Sequence, residues 1–388
     1  MRFPEFTEEW ETKKLGEVAT NKSEKYNPAN ETDFIKCIEM EHLITDTGQL
    51  LGYIDGSTSG SIKNVFNEGD VLFGKLRPYL KKYLQAPFDG VCSSEIWVLK
   101  GKNISNDFLY RIVQTKLFID LANQSSGSKM PRADWNVVES GSFSIPTPLE
   151  QKKISSFLAL LDERIQTQNK IIEELKLLKI TISKKLFSRQ LRFKNGNNEN
   201  YIDWNTKKLG EVTTLVNKRN KNNEKLPVYS INNKLGFVPQ SEQFEGVDSE
   251  DRGYDIKLYK IIDKNTFAYN PARINVGSIG YSKNLENIII SSLYVCFKTD
   301  NTINDNFLYQ YLKTDFFNRE VLRNVEGGVR DYLFYDNFAR IKFGLPCIEE
   351  QKKIADYISS IDSKIDVESQ LLHKFEKQKR YLLANLFI

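Results

Sequence analysis

Trp10-Glu-Thr-Lys-Lys-Leu-Gly-Glu-Val18 recurs as Trp204-Asn-Thr-Lys-Lys-Leu-Gly-Glu-Val212, 194 residues later in a chain of 388. Three further blocks repeat in the same order. Ser93-Ser94 and Lys100 match Ser291-Ser292 and Lys298. Phe108-Leu109-Tyr110 with Thr115 and Phe118 matches Phe307-Leu308-Tyr309 with Thr314 and Phe317. Pro146-Thr-Pro-Leu-Glu150-Gln-Lys-Lys-Ile154 matches Pro346-Cys-Ile-Glu-Glu350-Gln-Lys-Lys-Ile354. Four ordered blocks mark a duplication, and a fixed internal period is the first property a fold must satisfy. Between the blocks, residues 20–90 and 215–288 share no defensible similarity. The chain therefore reads as two variable cassettes set into one repeated frame.

A long helical pattern follows each Glu-Gln-Lys-Lys-Ile block. In the first copy the seam is Ile154, Leu158, Leu161, Ile165, Gln168, Ile172, Leu175, Lys179, Ile182 and Leu186; in the second it is Ile354, Ile358, Ile361, Ile365, Glu368, Leu372, Phe375, Lys379, Leu382 and Leu386. Steps alternating between four and three give the spacing of a coiled coil. Polar breaks fall at matching places, 168/368 and 179/379. No Gly or Pro interrupts either run, so each predicts a helix of roughly 35 residues, about 50 Å long. Such a helix needs a helical partner, and its own duplicate is available. The repeat also closes on itself. Leu186-Phe187 leads through Ser-Arg-Gln to Leu191-Arg192-Phe193, whereas Leu386-Phe387 precedes the chain end and the chain begins Met1-Arg2-Phe3. This cyclic order predicts antiparallel helices, with both termini near the first cassette.

The cassettes read as β-rich, with aromatic and β-branched runs punctuated by Gly, Asp and Asn. In the first, Phe73-Gly-Lys75-Leu-Arg77-Pro-Tyr79-Leu-Lys81-Lys82-Tyr83 carries four cations and interleaved tyrosines. Cations neutralise phosphates and arginine forks onto guanine; lysines also protect an exposed edge strand from aggregation, and both readings stay open. The second cassette offers Asn217-Lys218-Arg219 and Asn270-Pro-Ala-Arg273-Ile-Asn275-Val-Gly277-Ser278-Ile-Gly280. Its Asn and Arg side chains suit purine edges, its glycines allow close backbone approach, and a Gly-rich turn with surface polars is the plainer reading. Asn232, Asn233, Gln240 and Gln243 fit either view. Gly127-Ser-Lys129-Met-Pro-Arg132 and Gly327-Gly-Val-Arg330 occupy equivalent positions, as phosphate contacts or as simple turns. Candidate DNA-contacting residues are thus Lys75, Arg77, Lys81, Lys82, Lys129, Arg132, Lys218, Arg219, Arg273, Asn275, Ser278 and Arg330.

Composition narrows the function. There are 55 Lys+Arg against 51 Asp+Glu, a net charge of +4, and 40% hydrophobic residues. That balance excludes a crude polybasic binder but not a reader with local positive charge. No run of about 18 apolar residues spans a membrane, mean hydropathy is -0.47, and the acidic, aromatic start is unlike a signal peptide. Four separated cysteines and two histidines do not offer the clustered ligands of a structural zinc site and suit a reduced, cytoplasmic protein. Gly69-Asp-Val-Leu-Phe-Gly74-Lys75 mimics a P-loop, but Leu76 stands where Ser or Thr must hold magnesium. Asn270-Pro271-Ala272-Arg273 lacks the second Pro and the aromatic of an adenine methyltransferase motif. Neither histidine has an evident catalytic partner.

The ordered blocks resemble the specificity subunit of type I restriction–modification systems. They are Trp10…Lys13-Lys14-Leu15-Gly16-Glu17 with its copy at 204–211, and Pro146…Glu150-Gln-Lys-Lys-Ile154 with its copy at 346–354. The Leu191-Arg192-Phe193 join, Lys75-Leu-Arg77-Pro-Tyr79 and Asn270-Pro-Ala-Arg273-Ile-Asn275 fit the same resemblance, which covers the whole chain. It implies an α+β fold: target-recognition domains at 1–149 and 205–349, spacer helices at 150–190 and 350–388, and a linker at 191–204. Each domain is expected to read half of a split, asymmetric site in double-stranded DNA. The helices would form an antiparallel coiled coil that sets the spacing and docks two modification subunits; restriction (motor-nuclease) subunits would join them. No catalytic residue is implied for this chain. S-adenosylmethionine, ATP and magnesium are expected on the partners. A ~50 Å helix matches roughly 15 base pairs of duplex. The competing expectations are a coiled-coil scaffold without DNA contact and a solitary enzyme, which turnover by the isolated chain would reveal.

Overall fold

The computed structural model describes residues 2–30, 33–124, 130–243, 255–327 and 332–387. The chain divides into two compact units: residues 1–170 with 369–388, and residues 171–368. Each holds one β-rich domain, the first part of that domain's own long helix and the last part of the other. The helices span Pro148–Phe187, 40 residues, and Ile348–Asn385, 38 residues. They start two residues before the expected boundaries, with Pro148 in the first turn of its helix, where a missing N–H costs nothing.

Within the first unit the helices run antiparallel. Lys379 Nζ reaches Asp162 at 2.7 Å, and the Arg164 guanidinium lies 5.5 Å from the Phe375 ring centre. In the second unit Lys179 Nζ reaches Asp362 at 2.6 Å. The matching polar breaks at 179 and 379 thus have a physical reason: each lysine meets an aspartate of the opposite helix. Arg111 also bonds Asp162, and Gln310 donates to Asp362 at 3.1 Å, so each aspartate joins helix to β-rich domain. Ile154, Leu158, Leu161, Ile172, Leu186, Ile354, Ile358, Ile361, Leu382 and Leu386 are buried, whereas Ile165, Leu175, Ile182, Ile365, Leu372 and Phe375 are half-buried. Gln168 and Glu368 are buried polar members of the same seam.

The Trp and Glu-Gln motifs fasten each domain to its helix. Glu150 is fully buried and accepts from Arg2 at 2.8 and 2.7 Å and from Trp10 Nε1 at 3.1 Å. Glu350, equally buried, accepts from Arg192 at 3.1 and 2.9 Å and from Trp204 Nε1 at 3.0 Å. These hydrogen bonds raise both guanidinium pKa values above the ordinary one. The carboxylates sit in the first helical turn, where the helix dipole favours negative charge. Gln151 donates to Pro146 O at 2.9 Å and accepts from Ser105 N–H at 3.2 Å; Gln351 repeats this with Pro346 O at 2.8 Å and Asn304 N–H at 2.7 Å. Residues 191–204 are thereby tied down like the chain start. Phe3 meets Phe157 and Phe193 meets Tyr357 edge to face, both at 5.7 Å. Phe387 stacks on Phe108 at 5.4 Å, so both chain ends belong to the first unit.

The remaining repeated blocks are also framework. Glu11–Lys14 pairs antiparallel with Ser142–Ile145, and Asn205–Lys208 with Lys342–Leu345. Thr115 and Thr314 cap short helices through Phe118 N–H and Phe317 N–H, both at 3.3 Å, and both Phe rings are fully buried.

The cassettes, dissimilar in sequence, share a sheet plan. In the first, one antiparallel sheet runs in the order Ala19–Thr20, Ile96–Gly101, Val71–Gly74, Tyr83–Gln85; in the second, Thr213–Val216, Val295–Thr299, Phe267–Tyr269, Ile279–Tyr281. The other sheet centres on Gly90–Cys92, parallel to Lys36–Ile38 and antiparallel to Lys63–Phe66. Its counterpart centres on Ile288–Ile290, parallel to Val228–Asn232 and antiparallel to Lys260–Ile262. The first cassette adds an edge strand, Lys25–Tyr26. The four cysteines are free thiols; burial pushes Cys37 up to about 11 and Cys296 up to about 12.

Candidate nucleic-acid interface

The common sheet plan places two dissimilar segments at one position. In the first domain, strands Val71–Gly74 and Tyr83–Gln85 pair antiparallel and are joined by residues 75–82. A 3₁₀ turn, Pro78–Leu80, is flanked by Arg77 and Lys81, both left-handed at φ 52° and 49°. That region is sparsely used by non-glycine residues, and neighbours fix it. Arg77 N–H donates to Pro131 O at 2.8 Å, and Ala133 N–H donates to Lys75 O at 2.8 Å. The segment after the first Gly loop therefore lies alongside the turn.

In the second domain, Phe267–Tyr269 and Ile279–Tyr281 are joined by residues 270–278, with a 3₁₀ turn at Ile274–Val276. Arg273 precedes that turn as Arg77 precedes its own. Leu333 N–H donates to Pro271 O at 3.1 Å, so the segment after the second Gly loop takes the same place. Asn270 Oδ1 accepts from Ala272 N–H at 3.0 Å and closes the turn's start. Gly277 is left-handed at φ 87°, and a Cβ there would stand 3.2 Å from Asn233 O.

The candidate residues separate by environment. Arg77 and Arg273 are exposed and their guanidinium groups have no partner among the described residues; Lys75, half-buried, and Asn275, exposed, are likewise unpaired. Lys81 makes a loose exposed pair with Asp46 at 3.5 Å, Arg132 binds Glu95 at 3.0 Å, and Lys218 binds Asp263 at 3.3 Å. Arg219 is exposed, on a backbone bridge to Lys260. Lys129 and Arg330 lie outside the described residues. Three further residues are engaged within the domains. Ser278 is buried and donates to Ile231 O at 3.1 Å, because the turn must be sewn to the second sheet. Lys82 is half-buried and donates to Met40 O at 2.6 Å, which leaves its ammonium committed. Gly280 makes room for Phe237, whose ring a Cβ would meet at 2.8 Å. Tyr83, likewise, is a core ring beside Tyr110, whereas Tyr79 is exposed.

A cleft of about 440 Å³ opens beside the second turn. Tyr229, Asn232, Asn233, Gln240, Asn270, Arg273, Ser278 and Tyr294 are among the residues that line it. Tyr294 is held by Ile231 N–H donating to its hydroxyl at 3.3 Å, and burial raises its pKa. Amides and one unpaired guanidinium converging on a concave wall suit the donor–acceptor edges of purines. The sequence showed these Asn and Gln residues but not that they converge. Only the sheet pairing, 228–232 parallel to 288–290, brings Tyr229 and Tyr294 to the turn. The lysine run near 218–225, by contrast, is organised around Asn220, which is fully buried and bonds the Glu224 N–H at 2.9 Å.

The architecture defines a class: an internally duplicated α+β protein whose two β-rich domains carry equivalent cationic turns. The type I restriction modification DNA specificity domain model matches residues 7–177 and 201–377. The chain belongs to that family. Among its relatives, the MjaVIII specificity subunit of Methanocaldococcus jannaschii is 27% identical over 367 residues, covering 90% of this chain and 80% of the relative. The EcoDI specificity subunit of Escherichia coli is 31% identical over 150 residues, covering 37% of this chain and 32% of the relative. A chain from a structure of type I R-M system complex assembly and conformational transition aligns with TM-score 0.60 and 19% identity, covering 97% of this chain and 96% of that one. The S subunit from M. genitalium aligns with TM-score 0.56 and 16% identity, covering 98% and 96%. Among the described residues, no helix is long and apolar enough to cross a membrane.

Proposed function

We propose that this chain is the DNA-reading subunit of a type I restriction–modification complex in the cytoplasm. Each β-rich domain reads one half of a bipartite site in double-stranded DNA, and the site is asymmetric because the cassettes differ. The long helices set the gap between half-sites and dock two modification subunits; restriction subunits complete the assembly. The chain itself is not catalytic. S-adenosylmethionine, ATP and magnesium belong to its partners, which methylate adenine and cut unmodified DNA.

The observation that carries this reading is the equivalence of the two turns. Dissimilar sequences place an exposed, unpaired arginine, Arg77 or Arg273, at one point of one sheet plan. A framework needs no such group, whereas a reader needs it free for a phosphate or guanine. Membership of the specificity family weighs against a coiled-coil scaffold without DNA contact.

The test is expression with the modification subunit, followed by mapping of N6-methyladenine. A single split, asymmetric motif is expected. Arg273→Ala should weaken recognition of the second half-site by about 1–3 kcal/mol and leave the first unchanged. Equal loss at both would assign Arg273 to folding. Adding one turn to both helices should lengthen the unread gap; altered bases within a half-site would defeat the spacer role.

A further inference from the structure

The amides of the cleft beside the second turn are not free to both donate and accept. Asn232 Oδ1 accepts from Lys234 N–H at 2.8 Å and from Leu235 N–H at 3.1 Å. Asn270 Oδ1 accepts from Ala272 N–H at 3.0 Å. A backbone N–H can only donate, so it fixes which end of each amide is the oxygen. Each carbonyl is committed to its own turn, and the NH2 is what either side chain still offers. The Tyr294 hydroxyl accepts from Ile231 N–H at 3.3 Å, which leaves its own proton to donate. Burial raises the Tyr294 pKa and the Arg273 charge opposes that rise, which puts the guanidinium close to the hydroxyl. Arg273 itself can only donate. Among the described residues, no Asp or Glu lines the cleft.

These donors are positioned in advance. Ser278 Oγ donates to Ile231 O at 3.1 Å, and a Cβ on Gly277 would stand 3.2 Å from Asn233 O. The turn is thereby held against the end of strand Val228–Asn232. Fixed donors select by what they refuse. Adenine shows an N6 amine beside N7, and asparagine reads that pair only with its carbonyl free. Cytosine also shows an amine. Guanine shows two acceptors side by side, O6 and N7, and arginine forks onto them. A phosphate accepts too, but phosphate contacts gain most from cations, and here three neutral donors stand with a single cation.

We propose that the cleft takes the major-groove edge of a guanine in the second half-site: Arg273 forks onto O6 and N7, and the NH2 groups of Asn232 and Asn270 turn away bases that present an amine. This rests on the reading of the chain as a DNA-reading subunit.

The full chain is expressed with its modification subunit and N6-methyladenine is mapped. The half-site that Arg77→Ala leaves unweakened belongs to the second domain, and a guanine is expected in it. Duplexes with 7-deazaguanine at each guanine of that half-site in turn lose N7 alone. At one position the complex should bind about tenfold more weakly. Asn270→Asp keeps the oxygen that receives Ala272 N–H and exchanges the NH2 for a second acceptor. This variant should lose the guanine preference at that position and accept cytosine or adenine there, with the other positions read as before. A second half-site without guanine, indifference to 7-deazaguanine throughout it, or an unchanged base preference in Asn270→Asp would overturn the inference and leave the function standing. So would an Asn270→Asp variant that weakens cognate and scrambled duplexes alike, the signature of a phosphate contact. The 7-deazaguanine arm uses the unaltered chain, so it decides even where the variant fails to fold. Absence of any split methylation motif would defeat the function as well.

Discussion

The carboxylate clamps and the cassettes are opposite solutions to being duplicated. At Glu150 and Glu350 the two copies agree residue for residue: Arg, Trp, Glu and Gln recur with nearly the same distances. In the cassettes the sheet order recurs and the side chains do not. A buried carboxylate tolerates few substitutes, since it must be met by donors of the right length and charge. A sheet needs only apolar and β-branched residues at alternating positions, which many sequences supply. The frame is thus written in particular residues and the cassettes in pattern. That leaves a recognition surface free to differ between halves while its support stays constant.

The sharpest way to break this comparison is to remove a clamp. Glu350→Ala should destabilise the second unit by about 3 kcal/mol, because Arg192 and Trp204 lose a buried acceptor; urea denaturation followed by Trp fluorescence reads it. Glu150→Ala should act in the same direction on the first unit. Loss of under about 0.5 kcal/mol, the size expected of a surface change, would make the clamp incidental. Arg77→Ala probes the other side. It should weaken reading of the first half-site by about 1–3 kcal/mol with thermal stability unchanged; a drop in stability would move Arg77 into the frame. A smaller effect sharpens the frame itself. Gly210→Ala would place a Cβ 2.7 Å from the Ala339 Cβ and should cost about 1 kcal/mol or more. Gly16→Ala meets Glu139 at 3.1 Å and should cost less, read in the same denaturation assay.

What could be read beforehand follows the same division. The repeat, the helices and their seam were legible because spacing alone carries them, and lysines 179 and 379 were legible as breaks though not as ion pairs. Glu150 and Trp10 were visible as a motif, but their contact joins residues 140 apart in sequence and needs the fold. The shared sheet plan was hidden, because residues 20–90 and 215–288 keep pattern without identity. In the candidate interface, charge and hydrogen-bonding capacity drew equal notice to Arg77, Lys82, Arg273 and Ser278. Only packing tells a free guanidinium from an ammonium spent on Met40 O or a hydroxyl spent on Ile231 O.

The sharing of helices between units has a consequence for how the chain is made. The first β-rich domain leaves the ribosome before the second, yet its unit is completed by residues 369–388, which emerge only after the whole of the second. Until then Leu158 and Leu161 lack the Leu382 and Leu386 that share their core, and Phe108 lacks Phe387. The second unit, contiguous from 171 to 368, has all its pieces earlier. Synthesis order and completion order of the two units are therefore reversed, and a chain lacking residues 369–388 would lose the integrity of its first domain.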